Sequence, residues 1–149
     1  MLKLVNKVLY RPAKPVDVDY WESVVRTGKE MLAYIRTRGY GLAAPQIGVS
    51  KRFFVMNVDG IERIIINPTI VDNSSPFVSM EEGCLSFPGK RIMVDRPANI
   101  VVSYEDGLTK GMFDNIHVAC LPMDGMEARC FLHEYDHLNG VTMFQHQRG

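Results

Sequence analysis

A chain of 149 residues, 46% of them hydrophobic, is long enough to bury the core of one domain. Its 17 Lys and Arg residues balance 17 Asp and Glu residues, and this zero net charge argues against a nucleic-acid-binding protein, which would carry a basic surface. No apolar run reaches the length of a membrane span, and the N-terminal stretch is too often interrupted by Lys and Arg for a signal peptide.

The first elements in chain order are a helix and a hairpin. Residues 19–39 predict a helix that Asp19 caps and Gly39 ends, because apolar residues recur there near helical spacing. The stretch RFFVMNVDGIERIIINP follows, with two apolar, β-rich runs around Asp59 and Gly60. An Asp-Gly pair between such runs predicts a tight β-hairpin.

Strands continue through the middle of the chain until a final helix. Two short strand candidates follow the hairpin, at residues 69–72 and 77–80. Asp106 and Gly107 predict a turn between two further strands. Asp124 can then cap a helix that ends before Gly140. Helices at both ends of a run of strands indicate one α+β domain, residues 1–149, with antiparallel sheets.

The last helix carries the sequence HEYDH at residues 133–137. Four residues separate His133 from His137, so both side chains lie on one face of the helix, one turn apart. Two imidazoles in this arrangement can bind one metal ion, and Glu134 can act beside it as a general base. Met126 and Cys130 lie on the same stripe, two turns and one turn before the first histidine, respectively.

The third metal ligand must come from upstream. Only twelve residues follow His137, none of them acidic, and Met143 stands where the HExxHxxGxxH pattern needs a third histidine. The stretch MEEGCLSFPG offers Cys84, which would make a Cys-His-His site with one open position. His117 is the competing ligand, although its strand pattern favours a surface or core histidine. We expect Cys120, in the same strand, to be a core residue.

The stretch GYGLAAPQIG at residues 39–48 is rich in small residues, which allow the backbone to approach a ligand closely. It lacks the GKS or GKT ending of a phosphate loop. The amide of Gln46 could donate hydrogen bonds to an oxyanion. A simple tight turn is the alternative interpretation.

Taken in order, the three stretches resemble the peptide deformylase family. Its motifs GxGxAAxQ, EGCLS and HExDH match residues 39–46, 82–86 and 133–137, so the likeness spans nearly the whole chain. The resemblance implies the peptide deformylase fold, an α+β fold with antiparallel sheets around a central helix that carries HExxH.

The resemblance also implies three groups of site residues. The metal ligands would be Cys84, His133 and His137. The catalytic groups would be Glu134 as general base and acid, and the Gln46 side chain and Leu85 N–H as oxyanion donors. Substrate contacts would include the backbone at Tyr40, Gly41 and Gly83, and a methionine pocket near Met126, Arg129 and Cys130.

The implied reaction is hydrolysis of the N-formyl group from the first methionine of new polypeptides, with release of formate. The implied cofactor is one divalent metal ion, Fe²⁺ in the cell, with Zn²⁺, Ni²⁺ or Co²⁺ able to substitute. We expect a monomer in the cytoplasm of a bacterium or phage-infected cell that binds nascent peptides but neither nucleic acid nor membrane. The family often has Gln where Leu132 stands, and its bacterial members usually carry a further C-terminal helix. We therefore expect a short form that lacks this docking helix and can still act near the ribosome.

Two other classes of function remain open at this point. One is a small HExxH zinc endopeptidase or aminopeptidase-like amidase, which would cleave peptide bonds rather than formamides. The other is a metal-binding module without catalytic activity, which would not need Glu134 or an open coordination position.

Overall fold

The computed structural model describes residues 2–5, 10–110 and 115–148, with the backbone alone at position 110. Two α-helices and seven β-strands make up its regular structure. In chain order these are α1 (Trp21–Ile35), β1 (Gly41–Ala43), β2 (Phe53–Val58), β3 (Ile61–Asp72), β4 (Phe77–Cys84), β5 (Phe87–Pro97), β6 (Asn99–Lys110), β7 (Ile116–Asp124) and α2 (Gly125–Leu138). Single 3₁₀ turns lie at Val18–Tyr20, Ala44–Ile47 and Met143–His146. None of the helices in these ranges is long and apolar enough to cross a membrane.

The strands form two antiparallel sheets. Five of them pair in the order β1-β2-β3-β6-β7, and β4 pairs with β5 as a separate hairpin. The predicted α+β class and antiparallel sheets are therefore confirmed.

The two helices cover opposite faces of the larger sheet. Side chains in β2 alternate between the two hydrophobic clusters: Phe53 belongs to the cluster with α1, and Phe54 to the cluster with α2. Phe54 meets Phe131 of α2 edge to face, with ring centroids 5.1 Å apart. Both faces of β2 and of the Ile64–Ile66 part of β3 are thus buried, which explains why these stretches are apolar almost throughout. This packing holds α2 rigidly in the middle of the protein.

The hairpin around Asp59 and Gly60 forms as predicted, and both residues have positive φ. The turn predicted at Asp106 and Gly107 is wrong, because both residues lie inside β6. A Cβ atom on Gly107 would come within 2.5 Å of the Ile64 side chain, so glycine serves close packing there.

The first helix also begins later than predicted. It starts at Trp21, after a 3₁₀ turn that contains Asp19, so Asp19 is not its cap. The last helix begins after Asp124 as expected, although the Asp124 side chain makes no capping hydrogen bond.

Candidate metal centre and cleft

Helix α2 brings the two histidines of HEYDH together. The rings of His133 and His137 lie on one face of the helix, with centroids 5.2 Å apart. Both side chains are buried, because this face of α2 points into the protein rather than toward solvent.

The third candidate ligand comes from the β4–β5 hairpin. Cys84 is the last residue of β4 rather than a loop residue as expected, and Leu85 and Ser86 form the two-residue turn that follows. The Cys84 Sγ atom lies 3.4 Å from Nε2 of His137. Potential ligand atoms of Cys84, His133 and His137 all lie within 4.8 Å of one another.

Neither of the other candidates in β7 is part of this group. His117 is exposed on β7. The expectation that Cys120 is a core residue is wrong, since it is also exposed on this edge strand of the five-stranded sheet. Its neighbours Ala119 and Leu121 pack against the cluster that contains α2, so Cys120 points to the opposite face of β7.

The donor set fits a divalent transition metal. One thiol and two imidazoles are ligands that suit Zn²⁺ and Fe²⁺. Nδ1 of His133 donates to the Glu82 carboxylate, so Nε2 is the nitrogen of this ring that would bind a metal. Burial disfavours a charge on His133, but Glu134, Cys84 and Glu82 raise its pKa to about 10, so a metal ion would displace a proton from Nε2. Burial lowers the pKa of His137 to about 3, so this imidazole is neutral and has a lone pair to offer.

A buried charged cluster lies behind the histidines. The Glu82 carboxylate accepts hydrogen bonds from Nε and Nη2 of Arg96, at 2.6 and 3.0 Å, and from Nη1 of Arg129 at 2.8 Å. Burial disfavours its ionisation, but the hydrogen bonds from His133 and Arg96 hold the pKa of Glu82 well below its usual range. Arg96 also binds Asp136, at 2.8 Å.

The sequence reasoning missed Glu82 and Arg96 as members of this cluster. Glu82 was visible only as part of a matched motif, and nothing in the sequence singled out Arg96. Their partners lie far away in the chain: Glu82 is 51 positions from His133, and Arg96 is 40 positions from Asp136. No local signal points to them, because Glu82 follows Glu81 and Arg96 follows Asp95, as solvated charges also would.

Glu134 lies beside the three candidate ligands. Its side chain is buried, and burial raises its pKa to about 7. Among the described residues its Oε1 atom has no hydrogen-bond partner. A carboxyl group with a pKa near neutrality can both accept and donate a proton at physiological pH.

The stretch rich in small residues packs directly on this carboxylate. A Cβ atom on Gly41 would lie 2.7 Å from Oε2 of Glu134 and 2.9 Å from Sγ of Cys130. Only glycine therefore allows β1 to approach α2 this closely.

The Gln46 side chain reaches the same place from the 3₁₀ turn after β1. Its Oε1 atom accepts a hydrogen bond from the N–H of Ala43 at 2.9 Å. Its Nε2 atom donates to Oγ of Ser86 at 2.9 Å and faces Sγ of Cys84 at 3.5 Å. The amide donors of Gln46 thus point toward the candidate ligands.

A cleft of about 410 Å³ opens beside these groups. All the remaining candidate residues of the sequence line it: Tyr40, Gly41, Gly83, Leu85, Met126, Arg129 and Cys130. Met126 is partly exposed at the cleft, and burial raises the pKa of the Cys130 thiol, so that it stays protonated. The Arg129 guanidinium points away from the cleft into the interior of the protein, where it binds Glu82 and the carbonyls of Val78 and Val94.

The Tyr40 backbone is less available than expected. Its carbonyl already accepts the N–H of Asn57 at 2.7 Å and the thiol of Cys130 at 3.3 Å. Gly41 follows it in β1, which forms one edge of the five-stranded sheet. An edge strand has backbone groups available for an extended peptide.

Comparison with known proteins shows which family the chain belongs to. The family model described as Polypeptide deformylase matches residues 1–149. The peptide deformylase of Thermotoga neapolitana is 41% identical over 139 residues, which are 93% of this chain and 80% of that protein.

Solved structures give the same result. The crystal structure of peptide deformylase from Thermotoga maritima superposes with a TM-score of 0.87 at 34% identity, over 100% of this chain and 97% of that one. A peptide deformylase from Synechococcus elongatus in complex with actinonin gives a TM-score of 0.87 at 35% identity, covering 99% and 79% of the two chains. The chain therefore belongs to the peptide deformylase family, whose members are metal-dependent hydrolases that remove the formyl group from N-terminal methionine.

Proposed function

We propose that this cleft hydrolyses the N-formyl group of methionine on nascent peptides, with Cys84, His133 and His137 as the metal ligands. The convergence of one thiol sulfur and two imidazole nitrogens within 4.8 Å, beside a buried carboxyl group, is the observation that supports this assignment most strongly. The match of the family model to residues 1–149 supports a single catalytic domain.

A divalent cation, when bound, supplies Lewis acidity and lowers the pKa of water. Glu134 accepts a proton from the attacking water and later donates it to the nitrogen of the departing peptide. Its raised pKa and buried position suit both steps. The carbon–nitrogen bond of the formamide breaks, and formate and a free N-terminus are the products.

Two donors stabilise the negative charge that develops on the formyl oxygen in the transition state. One is the Nε2 amide of Gln46, which already faces the ligand group, and the other is the backbone N–H of Leu85 in the turn after Cys84. Fixed donors of this kind are worth roughly 10²–10³-fold in kcat each.

The substrate backbone pairs with the free edge of β1 at Gly41 and with Gly83 of β4, so that the peptide lies as an added strand. The Tyr40 carbonyl is already hydrogen-bonded within the protein, so only the backbone N–H of Tyr40 is left to bind the substrate. The first side chain then enters the cleft near Met126, Cys130 and the aliphatic part of Arg129.

We propose Fe²⁺ as the native metal, because a thiolate and two imidazoles suit it as well as Zn²⁺ and the family resemblance implies iron. We propose the cytoplasm as the place of action, because the substrate forms on ribosomes. The three free cysteines, Cys84, Cys120 and Cys130, also suit a reducing compartment.

The test pairs metal analysis of protein purified without oxygen with an assay of formate release from formyl-Met-Ala-Ser. We expect one equivalent of metal, mainly iron, and turnover of the formyl peptide with no cleavage of internal peptide bonds. Cleavage of the internal bonds of unformylated peptides would instead favour the endopeptidase alternative. Failure to release formate from a metal-loaded sample would contradict the proposal.

A further inference from the structure

We propose that Ser86 is a positioning residue, which orients the Gln46 amide so that one of its N–H bonds points at the substrate oxygen. The inference rests on the proposed function, because it assigns Gln46 to the developing oxyanion. The structural observation is independent of that function: Nε2 of Gln46 donates to Oγ of Ser86 at 2.9 Å, across 40 positions of sequence.

Two hydrogen bonds determine the orientation of the amide. The N–H of Ala43 donates to Oε1 of Gln46 at 2.9 Å, and a flipped amide would place two donors against each other there. The Ser86 oxygen then takes one of the two hydrogens on Nε2. Because an amide group is planar, the direction of its second N–H is fixed once the first is bound. That second N–H faces Sγ of Cys84, at 3.5 Å, and hence the ligand group.

The position of Ser86 follows from the hairpin. Cys84 pairs with Phe87, so Leu85 and Ser86 are the two residues of the turn between β4 and β5. This turn thus contains the Leu85 N–H, adjoins the Cys84 thiol and holds the Gln46 side chain through Ser86. One rigid turn sets the relative positions of a candidate ligand and both oxyanion donors.

The backbone of Gln46 is held as well. Its carbonyl accepts the N–H of Val5 at 2.9 Å, and the 3₁₀ turn that carries it is buried. Loss of the Ser86 hydroxyl should therefore leave Gln46 in place while freeing the Nε2 end of its amide to sample other directions. A donor that must be reoriented during the reaction stabilises the transition state less than a fixed one.

The test is a double-mutant cycle with Ser86→Ala and Gln46→Leu. We expect Ser86→Ala to lower kcat about three- to tenfold, the range of one neutral hydrogen bond, with little change in KM. In the Gln46→Leu background the same change should have no further effect, because the amide it acts on is absent. Ser86→Thr, which retains the hydroxyl, should recover most of the lost kcat.

A control and a second readout separate positioning from folding. Ser79→Ala removes a hydrogen-bonded hydroxyl from β4 that contacts Asp95 and not Gln46, and it should leave kcat unchanged. In the zinc-loaded protein, the side-chain amide of Gln46 gives an NMR signal that Gln46→Leu identifies by its loss. Its hydrogen exchange should become faster in Ser86→Ala, while metal content stays equal to that of the parent.

Three results would overturn the inference: equal losses of kcat in both backgrounds, unchanged amide exchange, or loss of metal from Ser86→Ala. A parent enzyme that releases no formate would contradict the proposed function instead. The amide-exchange measurement would still decide whether Ser86 orients Gln46.

Discussion

Nδ1 of His133 lies 2.8 Å from Oε1 of Glu82, so a buried carboxylate determines which nitrogen of this ring faces Cys84. The same carboxylate forms ion pairs with the buried guanidinium groups of Arg96 and Arg129. Glu82 therefore links the orientation of a candidate ligand to the stability of the fold, two properties that can be measured separately.

We expect Glu82→Gln to lower metal affinity about 10- to 100-fold, the usual effect of losing a partner that orients a ligand. We also expect the free energy of unfolding to fall by roughly 3 kcal/mol or more, because two buried arginines lose a charged partner. Metal titration of the apoprotein and chemical denaturation give these two quantities.

The matched control for this prediction is Glu81→Gln. Glu81 is the preceding residue of β4 and also pairs with an arginine, Arg91, but both side chains are largely exposed. Exposed pairs contribute little, so neither metal affinity nor stability should change appreciably. Equal effects of the two substitutions would show that burial of Glu82 does not matter.

Cys84→Ser should cause loss of most of the bound metal, because a hydroxyl is a much poorer ligand than a thiolate at neutral pH. Cys120→Ser is the matched control. It should keep full metal content and activity, since Cys120 is exposed on β7. Metal analysis after dialysis provides the measurement. A Cys84→Ser protein with one equivalent of tightly held metal would exclude Cys84 as a ligand.

Glu134→Gln should separate metal binding from turnover. The amide keeps the size of the side chain and removes no ligand, so fold and metal content should match the parent. Without the proton acceptor, kcat should fall by about 10²–10⁴-fold. Parallel assays of formate release and metal content test this, and a variant with near-normal kcat would remove Glu134 from the role of general base.

Local patterns in the sequence were enough to predict the parts of the site that lie on one element. The spacing of His133 and His137 specifies a shared helix face, and the helix forms where its apolar stripe and end signals predict it. Local patterns alone could not predict Cys84 as a ligand, because nothing local relates residue 84 to residue 137. A Cys-His-His site was the simplest completion of the ligand set, and the resemblance to a family made it specific.

The contacts of Glu82 and Ser86 could not be predicted in this way. They arise when the β4–β5 hairpin packs beside α2 and the turn after β1, and no periodicity encodes that packing. The error at Gly107 has a related cause. A glycine that makes room for a neighbouring side chain, here Ile64, has the same sequence signature as one that makes a turn.

Gly41→Ala tests whether the space next to Glu134 is needed. The new Cβ atom would lie 2.7 Å from Oε2 of Glu134, so either the carboxylate or β1 must move. A displacement of about 1 Å at a reacting group can cost roughly 10²-fold, and we expect kcat to fall at least about tenfold. Gly39→Ala is the control, since the atoms nearest its Cβ would be those of the Leu85 side chain, at an ordinary contact distance of 3.7 Å. Equal kcat values for the two variants would contradict the prediction.

The proposed methionine pocket predicts the preference for the first residue of the substrate. Met126 and Cys130 present apolar surface to the cleft, while the Arg129 guanidinium is bound to Glu82 and to two carbonyls. A formyl-Met side chain should bury itself there, whereas formyl-Ala forgoes about 1.5–3 kcal/mol of apolar burial, or roughly one to two orders of magnitude in kcat/KM. Formyl-Glu should also react poorly, because the guanidinium is already paired and a buried carboxylate would lack a partner.

Comparison of kcat/KM for formyl-Met-Ala-Ser, formyl-Ala-Ala-Ser and formyl-Glu-Ala-Ser measures these preferences. Equal values for the first two would exclude the pocket, and efficient turnover of the third would mean that Arg129 turns toward the substrate.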